Sequence, residues 1–202
     1  MSAPLHPSDR CRIRVDRVGS EAAPMIVVDD LLADAAQLVD VAAHETFAPV
    51  THRAYPGIRA AAPPQYAGVL HQLLRDLICS TFGFTGSDVI AGESSFSIVT
   101  SAPGNLHIRQ RLPHFDSPDT QLIAVLHYLC PEALGGTSFY RHRATGFESI
   151  TADRLARFDE TVNTELAEVD PVGYINGDSA QRTADGQHVF HVPAATGGCA
   201  RQ

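Results

Sequence analysis

Apolar and polar positions alternate along residues 12–18, "RIRVDRV", with the period of two that sends successive side chains to opposite faces of a strand. Residues 24–30, "PMIVVDD", form an apolar run closed by two aspartates, which reads as a short buried strand ending in a helix-capping Asp. Residues 31–46 set Leu31, Ala35, Leu38 and Ala42 on one side and predict that helix. "YPGIRAAAPP" (55–64) reads as a loop from its Pro and Gly content. The cleanest helical spacing follows at Tyr66, Val69, Leu70, Leu73, Leu74, Leu77 and Ile78, with Gly83 as the stop. Beyond residue 90 the period returns to two. "SSFSIVT" (94–100) and "LHIRQRL" (106–112) predict strands, and "QLIAVLHYLC" (121–130) predicts a strand buried on both faces. "GGTSFYRHR" (135–143) starts with a tight turn and becomes a strand. A stripe of Leu155, Phe158, Val162, Leu166 and Val169 predicts a helix near 151–169, and "VGYIN" and "QHVFHV" are the last candidate strands. Helices first and many short strands afterwards indicate an α+β fold. A strand and helix layer over about 12–83 supports an antiparallel sandwich or jelly roll over about 90–192, in a single domain spanning 1–202.

Composition narrows the function. The chain has 202 residues, 44% hydrophobic and 19% charged, enough for a core of its own. A formal charge of −8 argues against broad binding to nucleic acid or an anionic membrane, since both need a positive field. No apolar run approaches the ~20 residues needed to cross a bilayer, and the N-terminal residues lack the apolar core of a signal peptide. The expectation is a cytoplasmic protein acting on a small-molecule or peptide substrate. Cys11, Cys79, Cys130 and Cys199 are scattered without a CxxC pair, as expected of reduced thiols.

The candidate chemistry lies in "LPHFDSPD" (112–119). On a strand, His114 and Asp116 would share a face one pleat apart, and both would reach one metal ion. A site of two imidazoles and one carboxylate on one face of the ion, with the other face open, suits non-haem Fe(II) oxygen chemistry. The third ligand has candidates near the chain end, His191 and, less favoured, His188. Arg201, ten residues beyond His191, is placed to pair with a carboxylate-bearing co-substrate. Plainer roles stand beside these. Asp119 suits a turn, and His127 suits a hydrogen-bonded core position. Tyr128 suits either the core or a pocket wall. Arg109 and Arg111 suit a solvated strand face opposite His114, unless a bulge near Pro113 changes the parity. Arg141 and Arg143 suit either a carboxylate or solvent, with His142 between them as a weak substitute ligand.

Taken in order, "HFD", "AVLHYL" and "GGTSFYRHR" resemble the core of the 2-oxoglutarate/Fe(II) dioxygenase superfamily, of prolyl-hydroxylase-like type. The longer run "HFDSPDTQLIAVLHYLCPEALGGTSFYRHRATGFE", with the earlier "YPGIR", resembles a bacterial family allied to it, DUF6445, over roughly residues 25–178. The resemblance implies a double-stranded β-helix (jelly roll) with N-terminal supporting helices, Fe(II) and 2-oxoglutarate as cofactors, and His114 and Asp116 as iron ligands. It implies a hydroxylase that couples oxidative decarboxylation of 2-oxoglutarate to attack on a substrate C–H bond. The tail departs from the family pattern, which continues with an Asn-Arg-Leu strand and a Leu-His-Ser segment. Here the chain reads "GDSAQRTADGQHVFHVPAATGGCARQ", so a jelly roll incomplete at its C-terminal strands, through truncation or a frame shift, is also an expectation. A chain without the third ligand would be a non-catalytic binding or scaffold protein; another divalent ion at the same ligands would give a hydrolase.

Overall fold

The computed structural model describes residues 5–50, 55–85, 89–90, 92–131, 134 and 136–168, with backbone alone at 103, 168 and 187–193. It contains β1 (Arg12–Val18), β2 (Ala23–Asp29), α1 (Ala36–Ala42), β3 (Ala48–Pro49), β4 (Gly57–Ala61) and α2 (Pro64–Phe82). β5 (Ser95–Val99), β6 (Gly136–Arg141), α3 (Ala152–Glu168) and β7 (Gln187–Pro193) follow. The strands pair antiparallel as three small sheets, β1-β2, β3-β4-β5 and β6-β7. No closed barrel is present among the described residues. No helix of the described residues is long and apolar enough to cross a membrane.

β2 is the wall on which the rest is built. Its run from Met25 to Val28 is buried on both faces, which explains why the sequence there is continuously apolar rather than alternating. Ile26 and Val28 pack with Leu31, Leu32, Leu38, Tyr66, Leu74 and Phe96, the core beneath the helices. Met25 and Val27 face the other way, with Val18, and meet Phe139 of β6. One strand therefore separates a helical layer from the region that carries the site.

α2 forms where the apolar period is cleanest. Pro64 opens it, where no N–H is needed, and Gly83 closes it at φ 76° with its N–H donating to the Cys79 carbonyl. α1 is shorter than the apolar spacing over 31–46 predicts. Leu31 and Ala33 bond instead to the N-terminal segment at Ser8 and His6, and Asp34 receives the Ala36 N–H, so the helix starts late.

Three predicted elements differ. Residues 57–61, read as loop, are the central strand β4, hydrogen-bonded to β3 and β5. Gly57 is small because β5 presses on it: a Cβ there would collide with the Ile98 carbonyl. Residues 106–112, read as a strand, turn as a 3₁₀ helix over Ile108–Arg111. His107 accepts from the Arg109 N–H while its own N–H donates to Gln110 Oε1 at 2.7 Å, a reciprocal cap that an extended chain cannot make. Residues 121–130 run without a sheet ladder, and Leu122 and Val125 are 53% and 38% exposed, so the segment is not a strand buried on both faces. The predicted strands over 12–18, 24–30, 94–100, 135–143 and 187–192 and the helix near 151–169 are present, with shifted ends. "VGYIN" lies outside the described residues.

Candidate functional site

Past the 3₁₀ turn, Leu112 returns to extended backbone and the chain enters the loop carrying "HFD". His114 and Asp116 are thus loop residues, not strand neighbours, yet they converge: His114 Nε2 stands 3.7 Å from Asp116 Oδ1. Both are open to solvent, at 66% and 47%. The loop is fixed on both sides of the pair. Beyond it, Ser117 Oγ accepts the Asp119 N–H and Asp119 Oδ1 accepts the Gln121 N–H, the turn role expected of Asp119. Between the two ligand candidates, Phe115 packs edge-on against Phe158 of α3, centroids 5.7 Å apart.

Phe158 is held in turn. Its other neighbour is His142, centroids 5.1 Å apart, a residue 7% exposed at the end of β6. His142 Nε2 lies 2.9 Å from Glu165 Oε2 and Nδ1 lies 2.8 Å from Thr145 Oγ1. A carboxylate only accepts, so Nε2 carries the hydrogen toward Glu165 and Nδ1 is left to receive the threonine hydroxyl. His142 is consequently an anchor between β6 and α3 rather than a substitute ligand.

A cavity of about 830 Å³ opens beside this loop. Its walls come from β2, the end of α2, residues 112–122, β6 and α3, and include His114, Phe115, Phe139, His142 and Phe158. Ser138 of β6 also lines it, and in the β6-β7 ladder the backbone of His191 lies opposite Ser138. His188 pairs with Tyr140, one bulge further along. The side chains of 187–193 and all of Arg201 lie outside the described residues. Among the described residues no three His, Cys, Asp or Glu side chains gather as a metal-holding group.

The remaining candidates are accounted for by contacts. Arg141 does not face solvent unpaired: its Nε donates to Glu148 Oε1 at 2.7 Å, its Nη2 contacts the same oxygen, and Nη2 donates to Ser20 Oγ at 3.0 Å. Glu148 also receives the backbone N–H groups of Ser20 and Glu21 at 3.1 and 2.9 Å. Burial alone would raise the Glu148 pKa; the two N–H groups, the guanidinium and the Ser20 hydroxyl overcome it and bring the carboxyl down to about 2. Tyr128 shares a hydroxyl contact with Thr137 of β6, and burial raises its phenol pKa despite that bond, with Cys130 adding to the rise. Arg143 makes contacts of its own and is not part of the cavity lining. His127 is half-buried against core Tyr66 and only half satisfied, where the sequence predicts a hydrogen-bonded core position: Nδ1 lies 2.8 Å from the Tyr66 hydroxyl, and Nε2 is buried without a partner among the described residues. Burial lowers its pKa to about 4.

Two features escaped the pattern of the sequence. Glu148 sits in the unremarkable "GFE", with partners some 128 residues away, beyond any local signal. Arg109 shares the cavity with His114, because a turn rather than a strand links them. The spacing His107-x-x-Gln110 was the available sign of that turn.

Among the described residues, small antiparallel sheets and three α-helices carry an imidazole–carboxylate pair on a loop beside an aromatic-lined cavity. The chain belongs to DUF6445, a family of unknown function, whose pattern matches residues 9–188. No curated protein and no solved structure matches it.

Proposed function

We propose that the chain is an Fe(II)/2-oxoglutarate-dependent oxygenase, a hydroxylase, with the "HFD" loop supplying two of its iron ligands. The observation that carries this reading is the convergence of His114 Nε2 and Asp116 Oδ1 at 3.7 Å beside the cavity that His114 lines. Donors on adjacent positions of an octahedral ion, at about 2.1 Å each, stand about 3.0 Å apart. The exposed side chains need to close by about 0.7 Å, so one nitrogen and one anionic oxygen fit a ferrous ion. The third donor in this reading is His191, supported by the pairing of its backbone with cavity-lining Ser138.

The bound iron and 2-oxoglutarate would supply oxidising power for attack on a C–H bond. The chain's own residues do the rest. Asp116 offers negative charge and His114 a neutral nitrogen lone pair. Phe115 against Phe158, and the Ser117–Asp119 turn, hold the loop so that both side chains start near their working positions. Phe139 and Phe158 line the chamber with apolar surface that disfavours water.

The test is succinate formation from 2-oxoglutarate under air, with Fe(II) added to the metal-free chain and candidate substrates screened. Fe(II)-dependent succinate in the parent chain, lost in both His114→Ala and Asp116→Ala, is the expected result. Iron affinity unaltered by either substitution defeats the ligand assignment. Tight iron binding with no succinate under any substrate assigns the chain instead as a non-catalytic binding protein, and turnover that proceeds without O₂ assigns a hydrolase.

A further inference from the structure

The cavity holds a cation that the proposed iron ligation does not use. Arg109 stands in the Ile108–Arg111 turn, its backbone fixed by the His107–Gln110 cap, and its side chain lines the cavity with His114. Its Nη2 donates to Asn163 Oδ1 of α3 at 2.8 Å. That partner is a neutral amide, so the bond orients the guanidinium without cancelling its charge. No carboxylate lies within ion-pair distance of Arg109 among the described residues.

The acids of the same lining differ. Glu148 meets Arg141 and Glu21 meets Arg154, each beside a guanidinium, while Glu165 accepts a hydrogen bond from His142 and has no Arg or Lys partner among the described residues. Asp119 accepts the Gln121 N–H. Asp159 lines the cavity from α3, exposed and one turn before Asn163, but it does not come within ion-pair distance of Arg109, which keeps its charge for a ligand. Between these polar points the walls are apolar and aromatic, with Leu112, Phe115, Phe139 and Phe158 among them. An oriented guanidinium beside aromatic walls selects a ligand with one anionic end and an apolar body.

We infer that the cavity takes a small carboxylate with an apolar or aromatic body, its carboxylate bound by the free N–H groups of Arg109 and its body against Phe115 and Phe158. As a statement about function this rests on reading the cavity as the oxygenase chamber; as a statement about binding it does not need the metal. An organic-acid substrate and a 2-oxo acid co-substrate share only the carboxylate, and the test separates them.

Phenylpropionate, its uncharged analogue phenylpropionamide, and 2-oxoglutarate are titrated calorimetrically into the full metal-free chain and into Arg109→Gln, Arg109→Lys and Asn163→Asp. The expected result is that phenylpropionate binds at least tenfold more tightly than the amide. Arg109→Gln weakens it by about tenfold to a hundredfold, the range for a lost charge-assisted hydrogen bond, and Arg109→Lys weakens it less. Asn163→Asp keeps the guanidinium but gives it an internal anion; it weakens the acid as Arg109→Gln does and leaves the amide unchanged. If 2-oxoglutarate shows the Arg109 dependence and phenylpropionate does not, the inferred apolar-bodied ligand is overturned. Equal affinity for acid and amide, indifference of both carboxylates to Arg109→Gln and Asn163→Asp, or no carboxylate binding at all overturns the inference. Because these titrations contain no metal, loss of the iron site would remove the oxygenase reading and leave this result intact.

Discussion

At Glu148 a carboxylate only 5% exposed is held by two backbone N–H groups, a hydroxyl and the guanidinium of Arg141. With that many donors the charged form is favoured inside the protein, and the pKa falls to about 2 from an ordinary 4.5. At about 1.4 kcal/mol per tenfold change in proton affinity, the difference is about 3 kcal/mol of stability. Glu148→Gln keeps the shape and removes the charge, leaving Arg141 without its anion. Its expected cost is about 3 kcal/mol in urea unfolding at neutral pH, and a loss below about 1 kcal/mol would show the cluster to be ornamental. Arg109 is the opposite case at the same scale. Its orienting partner is neutral, so its charge is left for a ligand.

At the scale of elements, two glycines make a matched pair. Gly57 in β4 lies under the Ile98 backbone of β5, where a methyl group has no room. Gly68 in α2 has open space around it, with no atom beyond its chain neighbours and its own helix backbone within 4 Å of where an alanine methyl would stand. Gly57→Ala is expected to destabilise by more than about 2 kcal/mol because backbone, not a flexible side chain, must move. Gly68→Ala is expected to stabilise by about 0.5–1 kcal/mol, the gain for alanine over glycine inside a helix. Thermal melts of the two variants check both signs. The same contrast explains what was legible in the sequence. α2 was legible because its burial follows a period that local sequence alone can display. β4 was not, because Gly57 answers to a strand some forty residues later and its neighbouring prolines imitate a loop. "LHIRQRL" misled for a different reason: alternation of arginines with Ile108 and Leu112 resembles a strand face, whereas only Leu106 is buried there and the cap sets the backbone. That error hid Arg109 from the cavity. His114 and Asp116 were legible as a pair, by chemistry rather than by the strand assumed to align them.

Across the whole molecule, stability depends on pH through groups in different regions. His127 joins α2 to the 121–130 segment through Tyr66, and burial lowers its pKa to about 4 from an ordinary 6.5. The unfolded chain therefore takes up this proton first as pH falls. The contribution of His127 is complete above about 6.5 and is lost progressively as pH drops to about 4. Glu148 follows in a lower window: its contribution is complete above about 4.5 and is lost toward about 2. Urea midpoints measured from pH 7 to pH 3 are expected to fall in two stages, with His127→Gln flattening the upper stage alone. An upper stage unchanged in that variant would remove His127 as its source.

The grip of Glu148 on the Ser20–Glu21 turn has a bearing on how the chain comes to be assembled. The hairpin it secures leaves the ribosome before its clasp, which emerges 128 residues afterwards, on the order of ten seconds at ordinary elongation speeds. Until Phe139 follows, β2, apolar on both sides, lacks the β6 side chain that covers one of them. A nascent chain of this design has greasy surface to shield during synthesis, and the shielding is needed until Phe139 arrives, with the Glu148 clasp following it.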